Sequence, residues 1–169
     1  HQVAVFFFGG ADDREALALA RRMLEQPSVY ITLVHFSSST EIVAGTERSK
    51  MLDTQMLCEF RLSAFRNERV SYKEVRVMGA RDVLSTVEDM DNVSDLLMVG
   101  RRHGDSSLIS ELTKWKDGEL GTVGEILASL DIGAKTSVLV VQQQTRVWGL
   151  RDPEESTQLT SERIETCGV

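Results

Sequence analysis

The chain has 169 residues, of which 41% are hydrophobic and 27% charged, and its formal net charge is −7. This is the size and composition of one globular domain with a conventional core. The excess of acidic residues argues against a nucleic-acid partner, because phosphate binding needs a basic face. It also disfavours adhesion to anionic lipid.

Five short apolar segments have the composition of buried strands. In chain order they are residues 3–8, 29–35, 70–77, 95–99 and 137–141. The first segment is continuously apolar, as expected of a strand that is covered on both faces of a parallel sheet. The third segment is more polar and is therefore expected near an edge of the sheet.

Segments with helical periodicity separate the strands. The four predicted helices begin, in chain order, at about residues 12, 50, 79 and 122. Asp12 with Glu15, and Thr122 with Glu125, have the spacing of capping boxes. Residues 100–120, between the fourth strand and the last helix, are predicted to form a long loop.

Strands that alternate with helices need crossover connections, which are right-handed and make the strands parallel. The sequence therefore predicts an α/β fold, a doubly wound five-stranded parallel sheet with the strand order 3-2-1-4-5. That order places a crevice between strands 1 and 4, at their carboxyl ends. The domain is predicted over residues 1–144, followed by a polar, flexible C-terminal tail over residues 145–169.

Motifs of the common enzyme classes are absent from the sequence, which has no Walker-type loop, dinucleotide-binding glycine motif, zinc-protease motif or nucleophile elbow. His103, Asp105 and Ser106 are neighbours in the predicted loop, so a small hydrolase is an alternative to an ordinary polar loop. The histidines and the two cysteines, Cys58 and Cys167, lack metal-ligand spacing. The chain is therefore predicted to be no enzyme and to hold no metal.

Glycines collect where the crevice is predicted, directly after the first and the fourth strands. Free backbone amides at a turn or a helix N-terminus hold phosphates, and neighbouring arginines add charge-assisted hydrogen bonds. The candidate ligand-binding residues are Gly9, Gly10, Gly100, Arg101, Arg102, His103, Gly104, Gly121 and Thr122. Tight turns and helix capping require the same residue types without any ligand, and this interpretation stays open beside the first.

The order of elements over residues 3–141 resembles the universal stress proteins. The glycines after the fourth strand, together with Gly121 and Thr122, are similar to the nucleotide motif of that family. The resemblance implies the five-stranded fold and, as an alternative function, a free-standing nucleotide-binding stress protein. Phe8 stands where that family has an adenine-contacting aspartate, and the glycine spacing differs from the motif. No cofactor is therefore expected, and no ATP bound in the stress-protein manner.

Four segments in matching order resemble the second half of the cytosolic C-terminal region of the plant cation/proton exchangers. They are residues 6–17, 95–104, 119–129 and 137–144. The resemblance implies a regulatory domain, on the cytosolic side of a membrane, that belongs to a K⁺ or Na⁺/proton antiporter. The implied partners are the membrane exchanger part of the same polypeptide, the first half of its cytosolic region, and a second copy of the domain.

Apolar side chains in the predicted long loop indicate a contact surface. Leu108, Ile109, Leu112 and Trp115 lie in this loop, and Trp148 lies at the start of the tail. The loop residues are expected either to dock a partner or to fold back over the crevice as a lid. Each tryptophan is expected to be packed against the domain or to anchor a partner.

Overall fold

The structure is a computed structural model that describes residues 1–38, 46–104, 106–114, 118–129 and 136–144. The five strands are β1 (Gln2–Phe7), β2 (Tyr30–Ser38), β3 (Val70–Val77), β4 (Leu96–Gly100) and β5 (Ser137–Val141). The five helices are α1 (Ala11–Met23), α2 (Glu47–Arg66), α3 (Ala80–Asp91), α4 (Ser107–Thr113) and α5 (Gly121–Ser129). The predicted tail, Asp105, Cys167 and both tryptophans lie outside the described residues.

The strands form one parallel sheet in the order β3-β2-β1-β4-β5, which confirms the predicted fold class and strand order. β1 lies at the centre, where Phe6 is in register with Val34 of β2 and Val99 of β4. The polar strand β3 lies at an edge, as its composition predicts. The continuous apolar run of β1 follows from this position, because both of its neighbours are strands and both of its faces are covered.

The two faces of the sheet support two separate hydrophobic cores. Successive side chains of a strand point to opposite faces, so Val5 and Phe7 of β1 pack with α1 and α2 while Phe6 packs with α3, α4 and α5. This division is the doubly wound arrangement. None of the described helices is both long enough and apolar enough to cross a membrane.

The predicted long loop contains a helix, α4, so the prediction of four helices was wrong. Ser106 caps this helix, and its hydroxyl accepts a hydrogen bond from the Ile109 amide at 3.2 Å. Leu108 is 6% exposed and Leu112 is fully buried in the core. Leu108 and Leu112 are therefore core residues, and the prediction that they dock a partner or cover the crevice was wrong.

Neither predicted capping box forms. α1 begins after Gly10, and Asp12 and Glu15 do not pair across its first turn. Glu15 instead forms an ion pair at 3.4 Å with the Arg22 guanidinium, about two turns farther along the helix. At α5 the Glu125 carboxylate accepts from the Leu120 amide at 3.1 Å, while Thr122 has a different partner, described below. Each glutamate therefore has a local partner other than the one that a capping box requires.

Candidate functional site

The carboxyl ends of β1 and β4 meet in the crevice that the strand order predicts. Gly9 and Gly10 turn the chain there with φ angles of 101° and 104°, which side chains rarely allow. The Gly104 amide donates to the Gly9 carbonyl at 2.7 Å. A Cβ atom on Gly10 would lie 2.9 Å from the Gly104 nitrogen, so the two backbones approach too closely for a side chain.

Asp13 fills the centre of this crevice and is 0% exposed. One carboxylate oxygen accepts from the Gly100 amide at 2.9 Å. The other oxygen accepts from the Phe8 amide at 2.8 Å and lies 3.0 Å from the Nδ1 atom of His103. A single carboxylate from α1 therefore joins the ends of β1 and β4.

Asp12 makes a second set of hydrogen bonds beside the first and is 1% exposed. It accepts from the Arg102 amide at 3.0 Å and from the guanidinium of the same residue at 3.0 and 3.1 Å. The Gln143 amide, beyond β5, donates to it at 3.0 Å. The side-chain hydrogen bond with Asp12 raises the pKa of Arg102 above its ordinary value.

The two carboxylates accept hydrogen bonds from four backbone amides of the crevice. The amides of Phe8, Gly100, Arg102 and Gln143 point at carboxylates of the chain itself. Both carboxylates lie in the first turn of α1, where the helix dipole favours negative charge. An internal anion thus occupies the kind of site in which a phosphate would be held.

A third carboxylate, Asp53, connects α2 to the same crevice. It accepts from the Gly10 amide at 3.1 and 3.2 Å and forms an ion pair with Arg14 of α1. Both partners of this ion pair are largely buried, with side-chain exposures of 15% and 19%. The first turn of α1 is therefore held by β4 on one side and by α2 on the other.

His103 is buried with a side-chain exposure of 1%, and its ring lies edge-on to Phe8 at 5.0 Å between centroids. Its Nε2 atom has no hydrogen-bond partner in the described part of the chain. Ser106 caps α4 rather than meeting this nitrogen. Among the described residues no group of three or more histidine, cysteine or acidic side chains is placed to hold a metal ion.

The remaining candidate residues build the wall of the crevice on the side of β5. Arg101 donates to the Glu119 carbonyl at 2.6 Å and to the Gln142 side chain at 2.9 Å. Gly121, with a φ of 73°, packs against the Arg101 carbonyl so closely that a Cβ atom has no room. The Thr122 hydroxyl lies 3.1 Å from that of Thr113 in α4.

An open cleft of about 330 Å³ adjoins this network between β1, β2 and α2. Phe8 and Phe36 form one wall, stacked at 4.4 Å between ring centroids. His35 also lines the cleft and bonds to the Tyr72 hydroxyl at 2.9 Å. Burial raises the pKa of Tyr72 above its ordinary value, and the Glu74 charge adds to the shift.

The three carboxylates are the residues that sequence reasoning missed. Asp12 was interpreted as a helix cap, and Asp13 and Asp53 were not singled out. One signal was present, because two consecutive aspartates directly follow the glycine pair at the end of the central strand. The nine predicted residues do all lie at or beside the crevice.

The family model of the plant cation/H(+) antiporter C-terminal domain matches residues 1–142 of the chain. The chain belongs to that family. This confirms the resemblance carried by the four segments. The match spans every element of the sheet and every residue of the crevice except Gln143.

Several curated relatives of this antiporter C-terminal domain come from Arabidopsis thaliana. Cation/H(+) antiporter 15 is 38% identical over 170 residues, which cover 89% of this chain and 21% of the relative. Cation/H(+) antiporter 24 is 42% identical over 149 residues, which cover 86% of this chain and 17% of the relative. The chain thus spans about a fifth of the length of these relatives.

Solved structures resemble the antiporter domain more distantly. The hypothetical protein MJ0577 has 15% sequence identity and a TM-score of 0.47, covering 86% of this chain and 97% of that one. A universal stress protein crystallised in complex with cAMP has 16% identity and a TM-score of 0.40, covering 86% and 98%. A likeness this distant says nothing about which ligand this chain binds.

Proposed function

We propose that this chain is the regulatory domain of a plant K⁺ or Na⁺/proton antiporter, lying on the cytosolic side of the membrane. It acts by contact with the rest of its polypeptide and performs no reaction of its own. The observation that carries the proposal is the occupation of the crevice amides by Asp12 and Asp13 in a chain of the antiporter family. A crevice filled in this way links elements of the domain and engages the Phe8, Gly100, Arg102 and Gln143 amides, which could otherwise hold a nucleotide phosphate.

The proposed mechanism uses the connections that these carboxylates make. Asp12 joins the residues after β4 to Gln143 after β5, and Asp53 joins α2 to Gly10. A contact on α2 or beyond β5 would therefore change the geometry of the crevice. Regulation requires that the domain bind two conformations of the exchanger with different affinity. This difference in affinity then shifts the equilibrium between the two conformations.

The partners that fit this role are the membrane part of the same polypeptide, the preceding part of its cytosolic region, and a second copy of the domain. The first two are supported by the length of the relatives, which are about five times longer than the matched segment. A small ligand in the cleft beside Phe8 and Phe36 is a further means of regulation. The volume of this cleft, about 330 Å³, lies at the lower end of the range for small-ligand sites.

The experiment that tests the proposal measures cation-driven proton flux by the full-length antiporter in proteoliposomes as a function of pH. We expect deletion of the segment 1–144 to preserve transport but to shift its pH dependence. Asp12→Ala, which frees the Arg102 and Gln143 amides, should reproduce part of that shift.

Asp89→Ala provides the matched control, because this aspartate is exposed on α3 and lies away from the crevice. An unchanged rate and pH dependence after the deletion would contradict a regulatory role. Complete loss of flux in a correctly inserted protein would also contradict it, since the domain would then be part of the transport machinery.

A further inference from the structure

Helix α2 has two apolar faces, and the part of the chain that the structure describes covers only one of them. The inner face packs on the sheet through Met56, Leu57, Phe60 and Ala64. The outer face carries Met51, Cys58, Leu62 and Phe65, which we call the outer stripe. At about 100° per residue these four positions fall within a sector of about 60°.

The outer stripe is open to solvent along the whole helix. Met51 is 62% exposed, Leu62 is 63% exposed and Phe65 is 95% exposed, and Cys58 is exposed as well. Single exposed apolar residues are ordinary, but aligned ones that stay uncovered mark an interaction surface. Among the described residues no contact explains the position of Phe65, because its ring belongs to neither hydrophobic core.

Basic side chains flank the outer stripe on both sides. Arg48 and Arg66 lie about 70° to one side of its midline, and Arg61 lies about 70° to the other. Within the described residues none of the three forms an ion pair with a carboxylate, although Arg61 lies over the Tyr72 ring at 5.1 Å. The nearby Glu59 and Glu47 are already paired, with Arg21 and Lys50, at 3.4 Å each.

The distribution of charge decides between the surfaces that could cover this face. A second copy that met the outer stripe with its own would bring basic rims together. A convex ridge with cations on both sides instead matches a flat anionic surface, in which apolar side chains enter the interface and arginines meet headgroups. Only charges within a Debye length of about 8 Å act strongly, so the overall charge of −7 does not govern this face.

We propose that the outer stripe of α2 is a membrane-contact surface that takes anionic lipid headgroups. Its apolar side chains enter the headgroup region, and Arg48, Arg61 and Arg66 bind the phosphates and carboxylates around them. The proposal rests on the proposed function, because a polypeptide with a membrane part would hold the domain near a bilayer. It differs from the expectation from net charge alone, which is that the chain avoids anionic lipid.

Vesicle flotation of the full 169-residue chain tests the proposal. We expect binding to vesicles of phosphatidylcholine with about one-third phosphatidylserine, weak binding to pure phosphatidylcholine, and loss of binding at high salt. The double variant Leu62→Ser, Phe65→Ser should lower the partition coefficient at least about tenfold. Arg61→Gln with Arg66→Gln should lower it by about fivefold for each arginine.

Matched controls are available on the same molecule. Met78→Ser removes a side chain that is 90% exposed but lies outside α2, and Arg81→Gln removes an exposed cation of α3. Neither should change binding. Because the substituted residues are exposed, the thermal midpoints of all variants should match the parent, which separates lost binding from lost folding.

Cys58 offers an independent readout from within the outer stripe. In a Cys167→Ser background, an environment-sensitive fluorophore on Cys58 should shift to the blue with phosphatidylserine vesicles and be quenched by nitroxide-labelled lipid. The proposal is overturned if phosphatidylserine vesicles do not bind, or if binding is indifferent to the Leu62 and Phe65 substitutions. A dimer in sedimentation velocity that these substitutions abolish would also overturn it, in favour of a second copy.

These outcomes are separate from those of the transport experiment. Failure to bind vesicles leaves regulation by the crevice intact, because flotation does not depend on transport. A domain that binds vesicles through α2 while its deletion leaves transport unchanged would retain the membrane contact and lose the proposed regulatory role.

Discussion

Asp13 is the most deeply buried of the three carboxylates in the crevice. Its carboxylate is fully buried and lies between two backbone amides and the His103 ring. A buried charge is stable only when its hydrogen-bonding capacity is met, and here three donors from β1, β4 and the following turn meet it. The same geometry makes the residue costly to replace.

Replacing Asp13 with alanine should lower the free energy of unfolding by about 3 kcal/mol, since the Phe8 and Gly100 amides lose a charged acceptor inside the protein. Urea denaturation followed by circular dichroism measures the change. Asp89→Ala, on an exposed face of α3, should stay within about 0.5 kcal/mol of the parent. Equal stability of the two variants would show that the Asp13 network contributes nothing.

Local spacing in the sequence could not reveal this network. Asp13 and Gly100 are 87 positions apart, and Asp12 and Gln143 are 131 apart. An aspartate after a glycine pair and before a helix has the local signature of a cap, and only the meeting of β1 with β4 gives it another role. The glycines were predictable because a close approach of two backbones demands that residue type wherever it occurs.

At the scale of the elements, the strands were predictable from composition and α4 was not. The apolar run of β1 and the polar pattern of β3 follow directly from a central and an edge position in a parallel sheet. α4 is seven residues long and begins in a polar stretch, so its helical periodicity extends over only about two turns. Ser106 followed by Leu108 and Leu112, four residues apart, was the available signal.

Leu112→Ala tests whether α4 is a structural part of the core. Because Leu112 is fully buried against α3 and α5, its truncation should cost about 2–5 kcal/mol of unfolding free energy. Ser110→Ala, an exposed position on the same helix, provides the control and should have little effect. If Leu112→Ala unfolded at the same urea concentration as the parent, α4 would be a detachable docking segment instead.

At the scale of the whole molecule, the strand order and the position of the crevice followed from the alternation of strands and helices. What fills the crevice did not follow, because it depends on contacts between distant parts of the chain. The outer stripe could not be predicted from the sequence for a similar reason. Its apolar residues lie on the same helix as those of the inner face, and the two sets differ only in how far the fold buries them. The occupied crevice and the exposed outer stripe with its flanking arginines both fit the proposal that the domain contacts a membrane and other parts of its polypeptide.

The carboxylates of α1 occupy four amides of the crevice, and the proposed function requires that the domain work without a nucleotide. Calorimetric titration of the full chain with ATP, ADP, AMP and NAD, supported by thermal unfolding with each, tests it most directly. We predict no saturable heat and no change in the unfolding midpoint. Saturable binding, with a stability gain of about 2.7 kcal/mol at a hundred times the dissociation constant, would show that the crevice holds a nucleotide and that the proposed function is wrong.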